Sequence, residues 1–137
     1  MIAHAGLIAL RSQGRWRGVL IEGPSGSGKS DLALRCLERG FRLVADDRVL
    51  LWTSGGRLYG RAPDRLAGLM EIRPLGVLGQ PALAFAEVAL AARSGAGERW
   101  PDRETVTHLG VEIAAITLSL VEDSAPAKLR RGLDHLG

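Results

Sequence analysis

The sequence predicts a compact α/β domain, and three observations carry that prediction. A short, nearly continuous apolar run, "GVLIE" at residues 18–22, has the character of a strand buried inside a sheet. A glycine-rich stretch follows it and opens a helical pattern. A second apolar run, "FRLVADDRVLLW", begins where that helix stops at Gly40. Strand, glycine loop, helix and strand in succession are the marks of α/β organisation. The chain has 137 residues, the size of one domain, and such a domain buries about two thirds of its unfolded surface.

The elements read in order as follows. "IAHAGLIAL" (residues 2–10) is a first strand, and "RSQGRWR" is a hairpin connection with Gly14 at the turn. After the strand at 18–22 and the glycine loop, "KSDLALRCLERG" spaces Leu32, Leu34, Cys36 and Leu37 among polar residues as a helix, with Arg39 in its last turn. "FRLVADDRVLLW" is a strand that runs into two carboxylates and onward. "SGGR" (54–57) is a turn signal that pairs "RVLLW" with "RLYGR". "APDRLAGLMEIRPLGVL" reads as a short helix leading into a segment marked by glycine and proline. "ALAFAEVALA" fits strand or helix, and its neighbours favour strand. "SGAGERWPDRE" is loop, "LGVEIAAITLSL" carries strand signals, and "APAKLRRGLDHLG" is a closing helix. Nothing divides the chain, so residues 1–137 are read as one domain.

Composition narrows the function. With 46% hydrophobic and 24% charged residues, the chain is that of a soluble globular protein, and no apolar run approaches the ~18 residues of a membrane span. The start, "MIAHAGLIALRSQGR", places its apolar patch before its basic residues and has no small-residue cleavage site, which argues against a signal peptide and for a cytoplasmic protein. The single cysteine, Cys36, excludes an internal disulfide and a thiolate-rich metal site. A net charge of +3 without basic runs or an aromatic ladder speaks against nucleic acid. Sixteen of the eighteen basic residues are arginine, so the position of each lysine is informative.

One of those lysines falls in "GPSGSGKSD". Gly23, Gly28, Lys29 and Ser30 satisfy G-x-x-x-x-G-K-[ST], with Pro24, Ser25, Gly26 and Ser27 between them and Asp31 following. A chain of phosphates needs several donors converging at short range. Glycines allow successive N–H groups to point into one concavity, and the helix opening at Lys29 adds its positive end. Lys29 is placed for the β and γ phosphates and the Ser30 hydroxyl for Mg²⁺. Mg²⁺ also calls for hard oxygen ligands, and transfer to a hydroxyl calls for a base. "VADDR" supplies Asp46 and Asp47 on the first strand after the loop helix, at the strand end that faces the loop's crevice. Consecutive strand residues point to opposite faces, so the two carboxylates divide their roles. His4, Glu71 and Arg73 carry no such signal by themselves.

Taken together, the order His4, "GPSGSGKSD", "LVADDRV", "MEIRPLGVL" resembles the catalytic domain of the HPr kinase/phosphorylase family, closely from His4 to Leu78 and loosely beyond. The resemblance implies a P-loop-containing α/β catalytic domain with a central mixed sheet and flanking helices. It implies an ATP- and Mg²⁺-dependent protein serine kinase whose acceptor is HPr, a small phosphocarrier protein, and a homo-oligomer, hexameric in the longer members. By analogy Asp47 is the general base, assisted by His4, Lys29 clamps phosphate, and Ser30, Asp46 and Glu71 are the metal ligands. Arg99, in "GERW", matches a further arginine that neutralises charge on the transferring group. The chain looks like the catalytic domain without the N-terminal domain of longer members. Pro74 stands where the family usually has glycine, and the acidic "SLVEDSAPAK" stands where longer members carry a basic loop linked to dephosphorylation. The resemblance therefore implies the kinase direction more strongly than phosphorolysis. Two other classes stay open on the residues: a nucleotide-binding regulator without catalysis, and a kinase of a small molecule.

Overall fold

The computed structural model describes residues 1–99 and 102–137. The run "IAHAGLIAL" forms two strands rather than one, β1 (Ile2–Ala3) and β2 (Ala5–Ser12), with a bend at His4 between them. The bend sends them to different partners. β2 pairs antiparallel with β3 (Arg15–Glu22), Ala5 opposite Glu22, through the expected hairpin around Gly14. β3 leads through the glycine loop into α1 (Lys29–Leu37), and β4 (Arg42–Ala45) returns antiparallel to the other side of β2. Two antiparallel pairings restore direction, so β3 and β4 run the same way and end at the same edge of the sheet. β5 (Val49–Ser54) and β6 (Arg57–Arg61) form the hairpin read from "SGGR", and β1 pairs with β5.

The second half differs more from its sequence reading. The helix expected in "APDRLAG" is one 3₁₀ turn at Asp64–Leu66, and "MEIRPLGVL" is a separate hairpin of β7 (Leu69–Ile72) and β8 (Gly76–Gly79). The ambiguous "ALAFAEVALA" yields a strand, β9 (Ala86–Ser94). It lies parallel to β3 on one side; on the other it meets β6 antiparallel near its start and β11 (Val111–Leu118) parallel further along. β10 (Glu104–His108) pairs with β11, and α2 (Ala125–His135) closes the described chain. Trp100 and Pro101, within the stretch read as loop, lie outside the described residues.

The result is a mixed, curled sheet in the order β1-β5-β6-β9-β3-β2-β4, with β11 and β10 branching from β9. Strand alternation divides the core into two. Ile8, Val19, Ile21, Leu43 and Leu90 face Leu32 and Cys36 of α1 and Leu129 and Leu133 of α2. Leu7, Leu20, Val44, Leu51, Leu58 and Val88 fill the inside of the curl. Both helices therefore flank the sheet on one face. The curl is tight enough that a Cβ on Gly60 of β6 would stand 2.7 Å from Leu7 Cδ2 and 2.8 Å from Val49 Cγ1. Only glycine fits where those strands approach. Arg17, 3% exposed, anchors α2 by donating to the Leu133 carbonyl at 2.7 Å.

Candidate active site

The loop 23–30 leaves β3 at the edge where β4 and β9 also end. Its fold is set by a turn in which Ser27 N–H donates to the Pro24 carbonyl at 3.1 Å. Gly28 then adopts φ 100°, a conformation that L side chains rarely take, and its carbonyl accepts from Leu32 N–H at 2.9 Å to start α1. The first N–H groups of the helix have no intrahelical partner and point toward the loop. Lys29 curls back, its Nζ donating to the Gly23 carbonyl at 2.6 Å and to Pro24 at 3.1 Å, so the ammonium sits at the loop's mouth.

One feature of the loop fits a bound anion. The buried Ser27 Oγ has no hydrogen-bond partner among the described residues, a cost of about 1–3 kcal/mol unless a ligand or water satisfies it. A Cβ on Gly23 would fall 2.6 Å from that same oxygen, so a side chain at this position would collide with Ser27 and only glycine lets the loop pack this closely.

Beside the loop, β4 and β5 are joined by a corner rather than continuing as one strand. Arg48 N–H donates to the Asp46 carbonyl at 2.8 Å across Asp47, whose φ is 68°. A two-residue bond with a positive φ at its centre is a γ-type turn, strained for any residue with a side chain. The corner, not strand alternation, separates the carboxylates. Asp46 turns to α1 and accepts from Ser30 Oγ at 2.8 Å. Its second oxygen accepts from the Glu71 N–H at 3.3 Å, which docks β7 against the corner. Asp47 is thrust outward, 70% exposed, with Arg48 Nε at 3.9 Å. The structure thus brings Ser30, Asp46 and the backbone of Glu71 together in one group. The Glu71 carboxylate itself lies 3.2 Å from Arg73 Nε.

The oxygen donors here are hard ones, a hydroxyl and a carboxylate, with no cluster of three or more His, Cys, Asp or Glu side chains among the described residues. That set fits Mg²⁺, which takes one or two carboxylates and completes its shell with water and substrate phosphates. His4 is exposed at the bend between β1 and β2, and among the described residues no hydrogen bond or ion pair joins it to either aspartate. Arg99, in the loop after β9, lines a cavity beside α2.

Two groups around the loop escaped the sequence reading. Arg35 of α1 holds the segment after β11: it donates to the carbonyls of Glu122, at 3.1 Å, and Leu120, while its Nε bonds Asp31 at 2.9 Å. Only its spacing of four from Asp31 was visible in the sequence. Glu22, the residue before the loop, contacts His108 Nε2 at 2.7 Å and Arg93 Nε at 3.8 Å. These partners are 86 and 71 residues away, beyond the reach of local pattern.

The fold and site therefore define a curled-sheet α/β protein in which a glycine loop opens a helix beside an aspartate corner. The family model of the HPr serine kinase C-terminal domain matches residues 4–89, and the chain belongs to that family. Its curated relatives include HPr kinase/phosphorylase of Clostridium tetani, 36% identical over 99 residues that cover 69% of this chain and 32% of the relative. That of Brevibacillus brevis is 53% identical over 62 residues, covering 44% and 20%. The chain thus spans about a third or less of the length of these relatives. Among solved structures, an HPr(Ser) kinase/phosphatase from Coxiella burnetii superposes with a TM-score of 0.79 at 25% identity, covering 96% of this chain and 92% of that one. No helix among the described residues is long and apolar enough to cross a membrane.

Proposed function

We propose that this chain is the catalytic core of an ATP-dependent protein kinase that phosphorylates a serine of an HPr-like phosphocarrier. The observation that carries the proposal is the Asp46 carboxylate. It joins Ser30 of the loop helix to the backbone of Glu71 and leaves its neighbour Asp47 exposed beside the loop.

In this reading the loop amides and Lys29 hold the β and γ phosphates. Ser30 and Asp46 are the residues that would hold Mg²⁺, together with Glu71, whose backbone N–H bonds Asp46. Bound there, the metal would neutralise charge on the phosphate oxygens. Asp47 accepts the proton of the acceptor serine as its Oγ bonds the γ phosphorus; the bond from that phosphorus to the bridging oxygen breaks, and ADP departs. A strained turn suits this role, because it fixes the carboxylate outward where a protein's hydroxyl can reach it. His4, also exposed at this edge, assists Asp47. Arg99 lines the cavity beside α2.

The exposed apolar residues Leu75 and Val77 of the β7–β8 hairpin, 69% and 63% exposed, together with Phe85, support association with a protein surface. Acceptor docking and homo-oligomer formation both draw on such surface. Incubation of the chain with ATP, Mg²⁺ and the cognate phosphocarrier, followed by mass spectrometry, tests the proposal. One phosphoserine on the acceptor is expected; nucleotide binding without any phosphoserine would overturn it.

A further inference from the structure

The glycine loop occupies one end of the sheet, and the other end carries a buried charge. Arg17, near the start of β3, is 3% exposed. Gly23 lies six residues further on, about 20 Å along an extended strand. Arg17 Nη1 donates to the Leu133 carbonyl at 2.7 Å and to Ser12 Oγ at 3.5 Å, both of them neutral acceptors. Its Nε is buried with no hydrogen-bond partner among the described residues. In register Arg17 lies opposite Glu87 of β9, yet that carboxylate turns to Arg57 at 3.6 Å and Arg15 at 3.9 Å. Asp134 accepts from Ser12 Oγ at 2.8 Å and reaches Arg17 only through that hydroxyl. Among the described residues no carboxylate forms an ion pair with Arg17, and a guanidinium withdrawn from water without a counter-ion is unfavourable.

Arg17 lines a cavity of about 340 Å³, within the ~300–1,000 Å³ that small-molecule sites span. The turns of the β2–β3 and β5–β6 hairpins, the starts of β9 and β11, and the residues after α2 frame it. Its charged lining is three arginines, Arg15, Arg17 and Arg57, against two carboxylates, Glu87 and Glu112. Glu87 is already shared by two of the arginines, and Glu112 is exposed, so positive charge is in excess around Arg17. With Nη1 committed to Leu133, the unused part of the guanidinium is the edge formed by Nε and Nη2. That edge is the one that grips two oxygens of a single anion side by side. Gly137, exposed at the lip of the cavity, stands over it, the Cβ position of Gly137 being 2.9 Å from Arg17 Nη2.

We infer that this cavity binds a small oxyanion, a carboxylate or phosphate group, seated against Arg17 with Arg15 and Arg57 at its rim. The site lies at the opposite end of β3 from loop 23–30 and draws on none of the loop's groups. Arg15 and Arg57 can turn to the anion at little cost, since their side chains are 49% and 53% exposed and their contacts with Glu87 are long. The anion joins β3 to the end of α2, which Arg17 already holds through Leu133. Because the cavity exists only in the folded chain, binding raises the stability of the fold.

NMR titration of the ¹⁵N-labelled chain tests the site, with sodium phosphate and sodium acetate as probes at constant ionic strength so that screening stays fixed. The Arg17 Nε–H and the amides of Ala89 and Glu112 report the cavity, and the amides of Gly26 and Gly28 report the glycine loop. Saturating shifts at the first group are expected for at least one probe, with a Kd of about 1 mM or tighter. Saturation by phosphate alone assigns a phosphate ligand, and saturation by acetate alone a carboxylate. Arg17→Met keeps the apolar stem without the charge and should weaken binding about tenfold or more. Arg15→Gln combined with Arg57→Gln changes only half-exposed rim residues and should weaken it about threefold, while Glu112→Gln should tighten it about twofold. Thermal melts establish that each variant folds, and the rim variants carry the test if Arg17→Met does not. No saturation at the cavity by either probe, phosphate shifts confined to the loop amides, or an affinity unchanged in the folded variants would each overturn the proposal.

Discussion

Replacing Gly28 by alanine isolates the backbone demand that the phosphate loop makes. Two costs arise, and the structure separates them. At φ 100° any L residue is strained, and the left-handed region costs alanine about 1–2 kcal/mol. The new Cβ also stands 2.8 Å from Val121 Cγ1. Val121 is 63% exposed, so its side chain can rotate away, and a displaced rotamer costs about 0.5–1.5 kcal/mol at most. The backbone is therefore the larger share of a total near 2 kcal/mol. At this chain length a loss of 1 kcal/mol lowers the melting temperature by about 3–4 °C, so a drop of roughly 5–8 °C is expected. Thermal and urea unfolding of Gly28→Ala, Val121→Ala and the double variant measure the two shares. The double variant should recover less than half of the loss. Full recovery on a Val121→Ala background would refute the backbone account, and an unperturbed Gly28→Ala would refute both.

Further expectations follow from the corner and the core. Asn tolerates a positive φ as Asp does, so Asp47→Asn should keep the turn and the nucleotide affinity while kcat for phosphoserine formation falls at least ~100-fold, the usual contribution of a general base; unchanged turnover in a phosphoryl-transfer assay would remove Asp47 from that role. Ser30→Ala breaks an exposed hydrogen bond to Asp46, so it should cost no more than about 1 kcal/mol of stability yet abolish the gain in ATP affinity that Mg²⁺ provides, read by titration with and without the metal. Burial on the inner face of α1 pushes the Cys36 thiol up to about 12, against the lowering influence of Arg35, Arg39 and Arg130. The native chain should therefore resist alkylation at pH 8 and react only on unfolding. Because the folded thiol keeps its proton where the unfolded one loses it, the Cys36 contribution to stability is complete below pH 9 and declines as pH rises from there toward 12. A Cys36→Ala variant should show a smaller alkaline decline in urea unfolding.

The local pattern of the sequence determined the strand, glycine loop and helix, because a short buried strand, a run of glycines and a 3.6-residue apolar period are each encoded within a dozen residues. It also marked Lys29, Ser30 and the acidic pair, whose residue types leave little choice of chemistry. Where a strand breaks was less legible. His4 and Asp47 both lie inside apolar runs that read as continuous, and each break is decided by which partner the next segment finds across the sheet. For the same reason "MEIRPLGVL" became a hairpin: Glu71 N–H meets an aspartate 25 residues earlier, a contact that no periodicity announces. The curl of the sheet and the placing of both helices on one face are likewise tertiary, settled by close approaches such as Leu7 against Gly60. Residue identity along the chain supplied the chemical groups; long-range packing alone decided that Ser30 would meet Asp46, and that Arg17 would be buried beside a cavity at the far end of β3.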